Sequence, residues 1–228
     1  MEPIQEGIIN ALKGTSVLKQ KVYDRTLTAM STIKVILQEL ESELKEDLKN
    51  SDPRILPEYS DRGRFEAQLK AGSDVLVFSM HSNVFEFNRE HSIWKTSYVQ
   101  DNKLNSYCGI INIFNFLSDS FKYNRMEDLG YLIGRIFINQ EDHFIVEGKR
   151  QFGFLYNNFG KDTLNRENLR VIIQNALQYS LEFDLLVPPY DAVKIVTVGQ
   201  MTQKIEDSRI VTGKRLGFTF NSDDVAQE

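Results

Sequence analysis

The run from Leu132 to Ile138 most constrains what this chain can fold into, because it is apolar on both faces apart from Arg135. A strand that is greasy on both sides has to be covered on both, which places it inside a sheet with other elements packed over it. The polar run Asn139, Gln140, Glu141, Asp142 follows, and then a second short strand from His143 to Val146, so the two read as a hairpin. Period-two alternation puts His143, Ile145, Glu147 and Lys149 on one face of the second strand, with Phe144, Val146 and Gly148 on the other. An acid and a base thus leave the sheet side by side.

The segments flanking this hairpin supply helices and further strands. Pro3 to Lys13 reads as a short helix that Gly14 should end. From Thr15 or Ser16 to about Lys49 the pattern is helical again, with Met30, Ile33, Leu37, Leu40 and Leu44 forming a narrow seam. That seam serves either packing on the chain's own sheet or a homodimer through the long N-terminal helix. Asn50 to Gly63, rich in Pro, Ser and Asp, reads as a loop between a helical arm (1–50) and an α+β core (64–228), the two expected to form one structural domain overall. Strands are expected from Phe65 to Lys70 and from Val75 to Met80, joined by Ala71-Gly72-Ser73-Asp74, and at Val84–Phe87, Ile93–Val99 and Tyr107–Leu117. Asn165 is placed to cap a helix over roughly 166–182, whose stripe is Leu169, Ile172, Ile173, Ala176, Leu177, Ser180 and Leu181. Asp191 to Ile205 fits strand or helix equally, Arg209 to Phe220 reads as a last strand, and Asn221 to Glu228 as an acidic tail. The expected class is therefore α+β, a mostly antiparallel sheet of about six strands with the long helix and the 166–182 helix packed on it.

Composition narrows the partners. With 27 Lys plus Arg against 32 Asp plus Glu the net charge is −5, which argues against broad binding to nucleic acid or to an anionic membrane. No basic leader with an apolar run and no apolar span of membrane length is expected, and the one cysteine, Cys108, sits within an apolar run. Those features point to a reducing cytoplasm.

Few residues carry a chemical signal. The segment Glu147-Gly148-Lys149-Arg150 is echoed by Gly213-Lys214-Arg215, and glycines beside Lys-Arg pairs can hold a small anion, so Lys149, Arg150, Lys214 and Arg215 are the candidate anion contacts. Two ordinary turns with solvated charges would look the same. His143 and Arg150 stand where a P-loop needs glycine and Ser or Thr. His81, His91 and His143, with Glu86 and Glu90, match no closed metal spacing, and a buried Cys108 would be an inert thiol, so neither a metal nor another cofactor is expected. The aromatics Phe78, Phe85, Phe87, Phe114, Phe116, Phe121 and Tyr123 read as core or as the lining of a ligand pocket.

Two resemblances follow from these residues. Glu147-Gly148-Lys149 resembles the acid-x-lysine element of the PD-(D/E)xK nucleases, which implies a divalent metal held by Glu147 and a further acid, Asp128 or less well placed Asp119, with Lys149 acting on water. In element order, from roughly Thr15 to Phe183, the chain resembles a GAF or PAS type sensor domain, which implies a small-molecule or partner-binding role. The first expectation is a cytoplasmic, non-enzymatic ligand- or partner-binding protein of regulatory kind. The alternatives are the metal-dependent nuclease and a structural or assembly role.

Overall fold

The computed structural model describes residues 3–126, 128–148, 156 and 158–183. Its N-terminal helix runs through α1 (Pro3–Ala11), a wide turn of five residues (Leu12–Ser16) and α2 (Val17–Asp47). Gly14 does not end the helix. It sits inside the wide turn, and Ala11 and Val17 on either side keep right-handed helical angles, so the extra slack in the turn absorbs the glycine. Along α2, Met30, Ile33, Ile36, Leu37 and Leu40 are buried and Leu44 is half-buried. The seam is spent on the chain's own sheet.

Among the described residues that sheet is antiparallel and has seven strands: β1 (Glu58–Asp61), β2 (Glu66–Ala71), β3 (Asp74–Met80), β4 (Phe85–Glu86), β5 (Tyr107–Leu117), β6 (Tyr131–Ile138) and β7 (Phe144–Gly148). The order is β1-β2-β3-β5-β6-β7, with β4 paired to the start of β5. The class is α+β, as the residue pattern implied. β1 lies within the Asn50–Gly63 stretch expected to be loop; it is a short strand at the end of the strand order, preceded by Pro57, a residue that only an edge tolerates. The Asn139–Asp142 turn forms as expected: the Asn139 side-chain oxygen accepts from the amides of Glu141 and His143, and Asp142 takes a positive φ of 62°.

β6 is interior, with a departure from simple alternation. Ile133, Ile136 and Ile138 all join the core against the helices, although 133 and 136 differ in parity. The cause is a bulge: Ile113 and Phe114 of β5 are consecutive, yet they face Gly134 and Leu132, so Ile133 is the extra residue. One inserted residue flips the phase of the strand. Phe137 then faces the opposite side, where it packs with Ile93, Val99, Cys108, Ile145 and Phe159.

The helix face of the sheet is closed by α2 and by α5 (Arg166–Leu181), which buries Leu169, Ile172, Ile173, Ala176 and Leu177. Asn165 caps α5 as its sequence position implied, accepting from the Asn168 amide at 2.8 Å. Arg166 and Arg170 reach across to Glu39 and Glu43 of α2, fastening the two helices on their outer side.

The opposite face is covered over β5, β6 and β7 by the excursion between β4 and β5. Ile93–Val99, expected as a strand, is instead a short 3-10 turn (Ser92–Lys95) followed by α3 (Ser97–Asp101). Side chains compete here for the backbone: the His91 ring accepts from the Ile93 amide, and the Asn102 side chain accepts from the Leu104 amide in the next turn. β5 already has β3 and β6 as neighbours along its length, so it offers this segment no free side to pair with. A second short helix, α4 (Ser118–Lys122), was not foreseen. The undecided Asp191–Ile205 stretch, the expected strand from Arg209 to Phe220 and the acidic tail lie outside the described residues.

Candidate functional site

The outer-face layer leaves a cleft of about 550 Å³ where the turn after His91 meets β7. Ile93, Ile145 and Phe159 give it apolar walls, and His91, Ser92, Thr96, Glu147, Gly148 and the stretch of β7 at Val146 complete its lining. Alternation along β7 brings Ile145 and Glu147 to this side, while Phe144 and Val146 send their side chains to the helix-side core.

Glu147 is the most constrained polar group there. In the β6–β7 register it stands directly opposite Arg135, the one charge in the otherwise apolar β6 run, and the guanidinium donates to its Oε2 at 2.5 Å. Its Oε1 contacts His91 Nε2 at 3.0 Å. The tautomer of His91 follows from its other nitrogen. Nδ1 accepts the Ile93 amide at 3.3 Å and so carries no proton, which leaves Nε2 as the N–H that donates to Glu147. Phe87 stacks on the imidazole at 4.5 Å and holds the ring plane. The carboxylate is therefore clamped from two sides, one donor to each oxygen, with its side chain about one third exposed (33%) toward the cleft. An ionised carboxylate offers roughly four lone-pair positions, so about two remain for a visitor.

Trp94 stands beside the cleft wall. Its indole N–H donates to the Phe87 carbonyl at 3.2 Å and the Arg89 guanidinium lies 3.9 Å from its ring centroid. At the far end of β7 a separate network fixes the hairpin. Tyr98 donates to Glu141 at 2.5 Å and accepts from Asn139 at 2.8 Å, and His143 Nδ1 pairs with the Asp162 carbonyl at 3.0 Å. Burial first, and the bond to Glu141 second, push the Tyr98 phenol well above its ordinary range.

The residues proposed from the sequence are dispersed. Glu147 is in the cleft, but Asp128 precedes β6, where Ser120 donates to its Oδ2 at 2.6 Å and Arg125 pairs with the same oxygen at 3.2 Å. The acid partner expected for Glu147 is thus engaged in its own buried network. Asp119 is exposed in α4. Lys149, Arg150, Lys214 and Arg215 lie outside the described residues. His81, His91 and His143 each hold a different partner, and among the described residues no group of three or more His, Cys, Asp or Glu is placed to hold a metal ion. Of the aromatics, Phe78 is core, Phe87 packs beside the cleft wall, and Phe121 and Tyr123 are exposed near α4. Among the described residues no helix is long and apolar enough to cross a membrane.

Cys108 is buried at 1% exposure, and burial raises its thiol pKa. Alkylation of the native protein by iodoacetamide is therefore expected to be slow and to accelerate only when denaturant opens the fold. Rapid labelling in buffer, followed by mass spectrometry, would contradict the packing of Cys108 against Phe137 and Ile145.

His91 and Arg135 were missed as partners of Glu147. The only sequence signal for Arg135 was its status as the single charge in the otherwise apolar run from Leu132 to Ile138. The contact of His91 spans 56 residues and had no local signal. Comparison of the chain with known protein families, with curated proteins and with solved structures finds no match.

Proposed function

We propose that this chain is a non-enzymatic binding protein of regulatory, sensor-like kind, which takes a small organic molecule in the cleft between β7 and the turn after His91. The observation that carries this reading is the clamped carboxylate of Glu147, held by Arg135 and His91 at a concavity that also presents the apolar side chains of Ile93, Ile145 and Phe159. Apolar walls with a few fixed polar groups are what recognition of a small molecule needs.

The arrangement favours holding over reacting. A histidine acting as general base needs a nitrogen free to take a proton, and both nitrogens of His91 are engaged, one by a backbone amide and one by Glu147. The hydroxyl of Thr96 donates to the Ile93 carbonyl at 2.6 Å, and the Cys108 thiol is buried. The GAF or PAS likeness in element order, and a lone buried cysteine suited to a reducing cytoplasm, fit the same reading.

Trp94 is the only tryptophan of the chain and adjoins the cleft-lining Ile93, so it reports directly. Screening a library of small metabolites by thermal shift is expected to give compounds that raise the melting temperature and alter Trp94 emission. A ligand at a hundred times its Kd stabilises by about 2.7 kcal/mol. Ser92→Phe, at the exposed rim of the cleft, is expected to abolish both responses. Compounds that stabilise the protein equally in Ser92→Phe and leave Trp94 unchanged would contradict the cleft as the site.

A further inference from the structure

Resting on the cleft reading above, we infer that the ligand presents a neutral N–H donor head, of the primary amide or lactam class, to Glu147, on a flat apolar body. The head follows from what Glu147 still lacks. Its two oxygens each accept one hydrogen bond from the protein, so the free positions can only receive donors. A bare carboxylate or phosphate offers none, and would in addition meet the Glu147 charge.

The neutrality follows from Arg135. The guanidinium lies on the adjacent strand, bonded to Glu147 at 2.5 Å, and already balances its charge. A cationic head placed against Glu147 would sit close to Arg135 and lose by repulsion much of what it gains by attraction. His91, with its proton on Nε2 and its Nδ1 occupied, adds no charge as a neutral ring. A neutral donor takes the same hydrogen bonds without that opposition. The Ser92 hydroxyl on the same cleft lining supplies a donor for an amide carbonyl. Ile93, Ile145 and Phe159, all at 7% exposure or less, give the body of the ligand a dry wall.

Three probes share one ring and differ only in the head: benzamide is a neutral donor, benzamidine a cationic donor and benzoate an anionic acceptor. Titrated into the full chain and followed by Trp94 emission and ligand-observed NMR, benzamide is expected to bind tightest of the three. Glu147→Gln is expected to weaken benzamide by about tenfold, the scale of one hydrogen bond to a charged group. Arg135→Gln keeps an N–H donor for Glu147 but removes the balancing charge, so the order should reverse in favour of benzamidine. A purely structural role for Arg135 would not reverse a selectivity, and melting curves verify that each variant is folded. Benzamidine or benzoate binding tightest to the unaltered protein overturns the assigned ligand class. So does silence of all three while other library compounds still move Trp94, which leaves the cleft standing. If no compound of any chemistry moves Trp94, the cleft reading falls as well.

Discussion

Ile136→Ala is expected to cost about 3–5 kcal/mol, the upper part of the range for truncating a buried isoleucine. Ile136 is fully buried in β6, pairs with Ile111 of β5 and Val146 of β7, and belongs to the cluster shared with α2 and α5. The site is held from every side. Strands flank it within the sheet, and helices carrying Ile33, Leu37 and Ile173 close that face, so the surroundings cannot collapse into the space left behind. With a typical domain stability of about 5–15 kcal/mol, such a loss leaves a protein close to unfolding. Urea titration should show a lower midpoint at an unchanged slope. A loss under about 1 kcal/mol would mean that β6 is not the interior strand of the sheet.

The second large effect comes from adding atoms. Gly109 of β5 lies against α2, where a Cβ would fall on the Thr26 hydroxyl and within 2.8 Å of the Thr26 Cβ. Thr26 cannot easily swing away, because its hydroxyl is buried and donates to the Val22 carbonyl at 2.7 Å. Gly109→Ala is therefore expected to destabilise by about 2–3 kcal/mol through overpacking. Thr26→Ala removes the obstructing hydroxyl and methyl, so the double variant should recover at least about 1 kcal/mol relative to simple addition of the two losses. Strict additivity in denaturant unfolding would show that α2 and β5 do not approach as closely as their packing indicates.

These two positions also show what the residue pattern could and could not convey. The interior status of β6 was legible because Ile133, Ile136, Phe137 and Ile138 leave no polar face to expose, and α5 was legible from its stripe and its Asn165 cap. The bulge at Ile133 was not. It depends on the register with β5, and a period-two count has no means of registering an inserted residue. The Ile93–Val99 segment was misread for a related reason: its apolar residues fit a strand, while the capping by His91 and Asn102 that decides the matter is carried by flanking side chains.

The candidate site divides along the same line. Alternation put Glu147 and Ile145 on a common face, and both line the cleft. The expected companion Asp128 is bound instead to Ser120 and Arg125, and the residues that do hold Glu147 come from elsewhere. Arg135 arrives through strand pairing and His91 through a turn folded over the sheet. Chain-distant contacts of this kind become visible only once the sheet order is known.

The claim on which the site rests is that His91 donates from Nε2 to Glu147, and nitrogen-15 NMR of the imidazole reads that proton directly. At about pH 8, where an ordinary histidine is neutral, the account predicts a protonated Nε2 and a bare Nδ1 for His91, with Glu147→Gln altering the Nε2 signal. A His91 ring protonated at Nδ1 and bare at Nε2 would leave Glu147 without its second clamp and contradict the account.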